Sequence, residues 1–378
     1  MQWPEIKSSL FEGQTANDRP DIVCRVFRLK LSDLLKDIVQ RQIFGTVLVY
    51  VQTTEFQKRG LPHANMLFIL SGRRHCWQAV DRLVCAELPD QTVHPRLFDT
   101  VTSCMLHGVC GPSSACFKNG RCSENFPKPF HRQTSMGDDS YPLYRRRSPE
   151  DGGKTFTKYV RGQATVIDNR YVVPYNAYLL LRYNAHINVE YCASVKAVKY
   201  LYKYIFKGHD RAIVSLSPDK SSLTVDDAVT DEIKNYIDCR YIGAMEGAWR
   251  IFHFPLHDRH PAVQSLDVHL EHQQRVIFQD GQAEAVVAKG EQRTTLTEFF
   301  KTNATDDTAK QYLYHEFSEH FTWNQNSKKW CQRIRGEGCT IGHMYTVHPR
   351  QGDIYYLRLM LLHVCGALSF SDLRTVNS

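Results

Sequence analysis

The 378-residue chain has no apolar run that approaches the length of a membrane span, which excludes a transmembrane role. It has no apolar stretch after Met1 either: the opening MQWPEIKSSLFEGQ is mixed and polar, unlike a secretory signal. Internal repeats and low-complexity segments are absent, which argues against solenoids and fibrous arrays. There is no phosphate-cradling glycine loop. The GGKT at 152–155 needs a glycine five residues before its Gly-Lys pair and has Ser148 there, so it reads as a loop, and ATPase activity is not expected. Excess charge is also modest, with 47 basic against 40 acidic residues giving a net +7. That balance suits a polyanionic partner such as nucleic acid but does not identify one.

What is present describes an ordinary folded protein. A hydrophobic content of 42% with 11% aromatics rules out wholesale disorder, and the length allows two or three packed units. Twelve cysteines could form a secreted disulfide scaffold, yet Cys24, Cys76, Cys192, Cys239 and Cys365 lie scattered in apolar contexts. A reduced intracellular protein with buried thiols, and room for one metal cluster, fits this usage better.

Apolar spacing predicts a helix over 18–42, capped near Asp21, and then two β-branched runs, 44–57 and 61–70, joined by a short Gly-containing link as a hairpin. A Cys/Gly/Pro-rich segment at 104–130 and a polar, loop-rich stretch at 131–155 containing Arg145, Arg146 and Arg147 follow. Strands are predicted at 156–166 and 170–174, and helices from about Asn188 to Lys207, at 229–251, 295–300, 307–320 and 354–364.

The helix predicted from Asn188 carries the first chemical signal. At helical spacing Lys196, Tyr200, Lys203, Tyr204 and Lys207 share one face, beside a stripe of Val189, Ala193, Ala197, Leu201 and Ile205 that can pack inward. A tyrosine hydroxyl that attacks a DNA phosphodiester forms a phosphotyrosine and releases a 3′-hydroxyl, conserving the strand energy for rejoining. Lysines alongside would offset phosphate charge and favour the phenolate. The plainer alternative is an amphipathic packing helix with a solvated lysine rim.

A nuclease of that type needs a divalent ion to polarise the scissile phosphate. In the second strand of the hairpin, His63 and Asn65 are two apart and project from one face, and across the turn Glu55 and Gln57 also share a face. The segments EFQKRGLPHANMLFIL and YVVPYNAYLLLRYNAHINVEYCASVKAVKYLYKYIFKGHDRA resemble the Rep-like, HUH-type nuclease region of Helitron rolling-circle transposases, often labelled helicase-like. The likeness runs from QWPEI at 2–6 to LHVCGALSFSDLRTVN at 362–377.

The resemblance implies an α+β fold, with a mainly antiparallel central sheet bearing the hairpin and the tyrosine helix packed beside it. It places a nuclease core at 1–210, with the Cys/His-rich insertion inside it, and a mixed α/β extension at 211–378. It implies Mg²⁺ or Mn²⁺ held by His63, by Glu55 or Gln57 and weakly by Asn65, with Tyr200 and Tyr204 as nucleophiles and Lys203 and Lys207 beside them. Single-stranded DNA would be the partner, with a helicase domain or polypeptide of the same element as a second one, and the expected location is intracellular, in the nucleus. At Asn65 the family pattern has histidine. An amide oxygen is a weaker ligand than imidazole, although hard cations accept it, so metal affinity and cleavage are expected to fall or be lost. Site-specific nicking and strand transfer therefore stand beside an alternative, a catalytically dead DNA-binding remnant, and a third, a protein-interaction scaffold.

Three further features stand apart. His107, Cys110, Cys116 and Cys122, with Cys104 nearby, have the ligand types and compactness of a structural zinc (Zn²⁺) site, against the alternative of a loop with buried free thiols. Trp323 and Trp330 interleave with Lys328, Lys329, Arg333 and Arg335 as in single-strand binders, although aromatics at such spacing are more often core. His186 and His209 are candidate phosphate contacts.

Overall fold

In the computed structural model the described residues are 3–56, 60–72, 77–137, 141–160, 162–192, 242–274, 293–334 and 340–375. The chain divides into two compact units, 1–258 and 259–378, and the fold is α+β. Residue 210, where the sequence reading ends the nuclease core, lies outside the described residues. Among the described residues no helix is long and apolar enough to cross a membrane.

The first unit is organised by the helix Pro20–Val39 and the hairpin that follows it. Pro20 opens the helix because its missing N–H would have no partner in the first turn anyway. Arg19, close to Asp21, holds the cap position, and its guanidinium pairs with the Asp21 carboxylate at 2.9 Å. Strand β1 (Val47–Phe56) then pairs antiparallel with β2 (Pro62–Leu70). The other edge of β1 takes the short strand His257–His260, so β1 is central and β2 lies at an edge of this three-stranded sheet.

Strand alternation gives the hairpin two unlike faces. Met66 and Phe68 pack around Leu34 and Ile38 of the long helix and around Leu179 and Tyr183. Phe56 and Leu61 pack around Trp3, Val23, Met245 and the fully buried Trp249. Phe56, Met66 and Phe68 share one face of the hairpin, so Thr53, Glu55, His63 and Asn65 project from the opposite face. Asp37 of the long helix is fully buried, where it accepts a hydrogen bond from the Tyr183 hydroxyl at 2.6 Å and pairs with Arg182 and Arg41.

Several elements differ from the sequence reading. The single strand expected at 156–166 is a hairpin, Phe156–Val160 with Gln163–Ile167, turned through Gly162 at positive φ. Residues 170–174 are not a strand: Asp168 caps a 3₁₀ turn, Asn169–Tyr171, and only Val172 bridges back, to Leu106. The helix expected from Asn188 does not begin there. Asn184, left-handed at φ 44°, ends the helix Ala177–Tyr183, and the following amides are used elsewhere. Val189 N–H donates to Pro174 C=O at 3.1 Å and Tyr191 N–H to the Tyr144 hydroxyl at 2.7 Å.

The stretch at 131–155, read as polar loop, is an internal brace. Buried Arg146 donates to the carbonyls of Asn169 and Val172, each at 2.6 Å, while Arg145 and Arg147 converge on the buried Glu87 carboxylate at 3.2 and 2.7 Å. GGKT is a loop, as expected. A Cβ on Gly153 would lie 2.1 Å from the Arg147 carbonyl oxygen, so the close backbone approach there requires glycine.

The second unit packs the helix Thr295–Thr305 around Phe299 and Phe300 against Tyr314, Phe317, Phe321, Trp323 and Trp330. Its strands are a parallel pair, Ala262–Leu266 with Thr340–Met344, and a hairpin, Phe321–Asn324 with Lys329–Gln332. The helix expected over 307–320 is broken into a 3₁₀ turn, Ala309–Gln311, and a single turn, Phe317–His320. The helix Asp353–His363 follows the expectation closely.

Candidate functional site

Register fixes the first candidate site. Glu55 lies directly across the hairpin from His63, and Thr53 directly across from Asn65, with no bulge between these pairs. One carboxylate and one imidazole therefore project from a single face, with a hydroxyl and an amide one step along it. His63 is solvent-accessible, yet enough protein surrounds it that partial burial lowers its pKa below the ordinary 6.5. Glu55 pulls the value up and His186 pushes it down further, so both groups lie within electrostatic reach of the imidazole. His186 is anchored by its Nδ1, 2.8 Å from the Cys104 carbonyl oxygen. The net effect favours the neutral imidazole, the form a cation requires.

The deeper part of this face is unsatisfied. Asn65 Nδ2 and Thr53 Oγ1 are buried without a hydrogen-bond partner, and so is Gln52 Oε1 on the opposite face. Buried polar atoms normally find partners. The two ends of an amide have nearly the same shape, so reversing the Asn65 amide would present its oxygen in place of the orphaned nitrogen. Gln57, Tyr200, Lys203, Tyr204 and Lys207 lie outside the described residues, as does His209.

The second cluster is the segment after the helix Pro95–Cys104. His107 Nε2 lies 3.0 Å from Cys110 Sγ, 3.6 Å from Cys116 Sγ and 3.3 Å from Cys122 Sγ. Cys110 and Cys116 sulfurs are 3.2 Å apart, and all four ligand atoms fall within 4.8 Å of one another. None of the three cysteines is in a disulfide. Two short strands, β3 (Phe117–Lys118) and β4 (Arg121–Cys122), bring Cys116 and Cys122 together. Their turn is Asn119-Gly120, both at positive φ. Asn-Gly is the strongest short hairpin signal in a sequence, and the sequence reading missed it here. The His107 ring stacks on Phe126 with centroids 4.2 Å apart, and partial burial lowers its pKa as well.

The tryptophans expected to interleave with positive charge are core residues. Trp323 and Trp330 are both buried, with ring centroids 5.3 Å apart, and Trp330 Nε1 donates to the Thr295 carbonyl at 2.9 Å. Neither face is free to stack on a base. Arg335 lies outside the described residues.

No curated protein matches the chain. Residues 1–68 match the family described as the Helitron helicase-like domain at the N-terminus, so the likeness read from residue 2 to residue 377 is matched over this segment. The matched segment runs through β1 and most of β2 and includes Glu55, His63 and Asn65. Over residues 1–68 the chain is therefore similar to a Helitron N-terminal domain, and a transposon-related role is the function this supports.

Proposed function

We propose that the chain is a Helitron-derived nuclease domain of the Rep, HUH type that nicks single-stranded DNA and transfers the strand in rolling-circle transposition. The observation that carries this reading is the cross-strand register that sets Glu55 against His63 and Thr53 against Asn65, on the hairpin face opposite Met66 and Phe68. His63, Glu55 and Gln57 would hold a Mg²⁺ or Mn²⁺ ion, and the Asn65 amide oxygen would be its weak fourth donor. The orphaned polar atoms at Asn65 and Thr53 suit a cation that completes their coordination. When bound, the ion would polarise the scissile phosphate.

The remaining chemistry belongs to the chain. The hydroxyl of Tyr200 or Tyr204 would attack phosphorus, forming the tyrosine O–P bond and breaking the P–O bond to the departing 3′-oxygen, which leaves as a hydroxyl. Lys203 and Lys207 would offset phosphate charge. The DNA would be single-stranded, a helicase domain or polypeptide would supply it, and the site of action would be the nucleus.

The test is incubation of the full chain with a 3′-labelled single-stranded oligonucleotide and Mn²⁺, followed by denaturing electrophoresis. A covalent protein–DNA adduct that disappears in the Tyr200→Phe/Tyr204→Phe double variant is expected. An adduct formed only after Asn65→His would overturn the active-enzyme reading in favour of a DNA-binding remnant.

A further inference from the structure

The hairpin face leaves the Cys/His cluster unused, and four observations converge there. Three sulfurs surround one imidazole nitrogen at 3.0, 3.3 and 3.6 Å. Zinc bonds of about 2.3 Å to sulfur and about 2.0 Å to nitrogen, at tetrahedral angles, require N···S separations of roughly 3.5 Å and S···S separations of roughly 3.8 Å. The observed spacings lie close to that polyhedron, and the 3.2 Å Cys110–Cys116 separation is far longer than the ~2.05 Å of a disulfide.

The surrounding backbone is also built to hold the ligands. The Asn119-Gly120 turn closes the β3–β4 hairpin, and Ser123 N–H donates to Cys116 C=O at 2.7 Å, fixing two cysteines across one ladder. His107 N–H donates to Tyr171 C=O at 2.9 Å and Lys128 N–H to Arg170 C=O at 3.0 Å, so both ends of the segment are tied to one 3₁₀ turn.

Between those ties the segment has little apolar core of its own. From Leu106 to Pro129, Cys122 is the sole hydrophobic residue among the buried ones. A loop of this length that buries so little needs another source of cohesion.

We infer that His107, Cys110, Cys116 and Cys122 bind one Zn²⁺ as a closed structural site. Thiolates select a soft or borderline ion over Mg²⁺ or Mn²⁺, so this site is chemically separate from the one proposed at His63. Four protein ligands complete the tetrahedron and leave no position for substrate. The ion's role is to hold the 107–128 segment on the Asn169–Tyr171 turn.

The experiment measures the metal content of the full chain, purified without chelator, by plasma mass spectrometry. About one zinc per chain is expected, falling to near zero in Cys116→Ser and in Cys122→Ser and staying near one in Cys331→Ser, whose thiol is exposed in the second unit. Where a variant does not fold, Co²⁺ exchanged into the native chain provides an independent readout. A tetrahedral, thiolate-rich absorption spectrum is expected. Absent zinc, iron in its place, an unchanged zinc content in the two cysteine variants, or a cobalt spectrum of octahedral oxygen ligation would each overturn the assignment. None of these readouts involves DNA, so a nicking failure does not affect them.

Discussion

Glu55 and His63 face each other directly across the β1–β2 hairpin, and Asn65 occupies the same face one alternation along. If the divalent ion binds here, the amide at position 65 is the weak donor, and it is the one to replace. We expect Asn65→His to tighten Mn²⁺ binding by about tenfold or more, equivalent to about 1.4 kcal/mol, and Glu55→Ala to weaken it by a similar factor. The strand should tolerate histidine because Asn65 is only partly buried and its amide nitrogen makes no hydrogen bond that would be lost. Calorimetric titration of zinc-loaded protein with Mn²⁺ measures both effects. Equal affinities in all three proteins would move the ion away from this face.

A second prediction concerns Glu87, which accepts from Arg147 backbone and side chain and from Arg145. Burial raises its pKa, but the Arg147 hydrogen bonds and the two arginine charges outweigh that and hold it below the ordinary 4.5. A carboxylate with a lowered folded pKa contributes stability above its unfolded value and loses it as pH falls through the folded one. Unfolding free energy should therefore decline below about pH 4.5, and this part of the decline should vanish in Glu87→Gln. That variant should cost about 2–3 kcal/mol at neutral pH, toward the low end for a broken buried pair because both arginines reach water. Urea melts across the pH range check both statements.

These two sites differ in how far the sequence revealed them. The hairpin was legible because β-branched residues, a two-residue alternation and a Gly-containing link are local signals, and the ladder from Val49 to Phe56 follows them. The cluster at His107 was legible as a set of ligand types, but its hairpin was not recognised although Asn119-Gly120 announced it. Arg146 could not be read at all. An RRR triplet in a polar stretch looks like solvated charge, and only long-range carbonyls at Asn169 and Val172 turn it inward. The helix Ala177–Tyr183 was not read from the sequence, and the start expected at about Asn188 fails for a similar reason. Asn188–Cys192 has helical spacing, but the Val189 and Tyr191 amides are committed to Pro174 and Tyr144, which local periodicity cannot register.

The tryptophan pair yields a prediction that separates packing from DNA contact. Trp330 is buried against Phe317 and Trp323 with its indole N–H satisfied, so Trp330→Ala should destabilise the second unit by about 3–5 kcal/mol. Trp323→Phe keeps most of the buried volume and should leave single-stranded DNA affinity unchanged at constant salt. Fluorescence anisotropy with a labelled oligonucleotide measures the second variant. A loss comparable to the ~1–3 kcal/mol that one stacked base contributes would mean that Trp323 meets DNA after all.

The last prediction concerns the protonation of His63. Its pKa lies below 6.5 because burial disfavours the charged ring, with Glu55 opposing and His186 reinforcing that shift. The unfolded state therefore binds the proton more readily, so this group's stability contribution is full above pH 6.5 and is lost as pH falls through the lowered folded value. The two neighbours should be separable. His186→Gln removes a like charge and should raise the His63 pKa, whereas Glu55→Gln removes the opposing carboxylate and should lower it. Nuclear magnetic resonance titration of the His63 ring in metal-free protein reads each shift without DNA or catalysis. If His186→Gln leaves the ring's titration unchanged, His186 does not share this face. If it moves as expected, His186 stands beside His63 at this face of the hairpin.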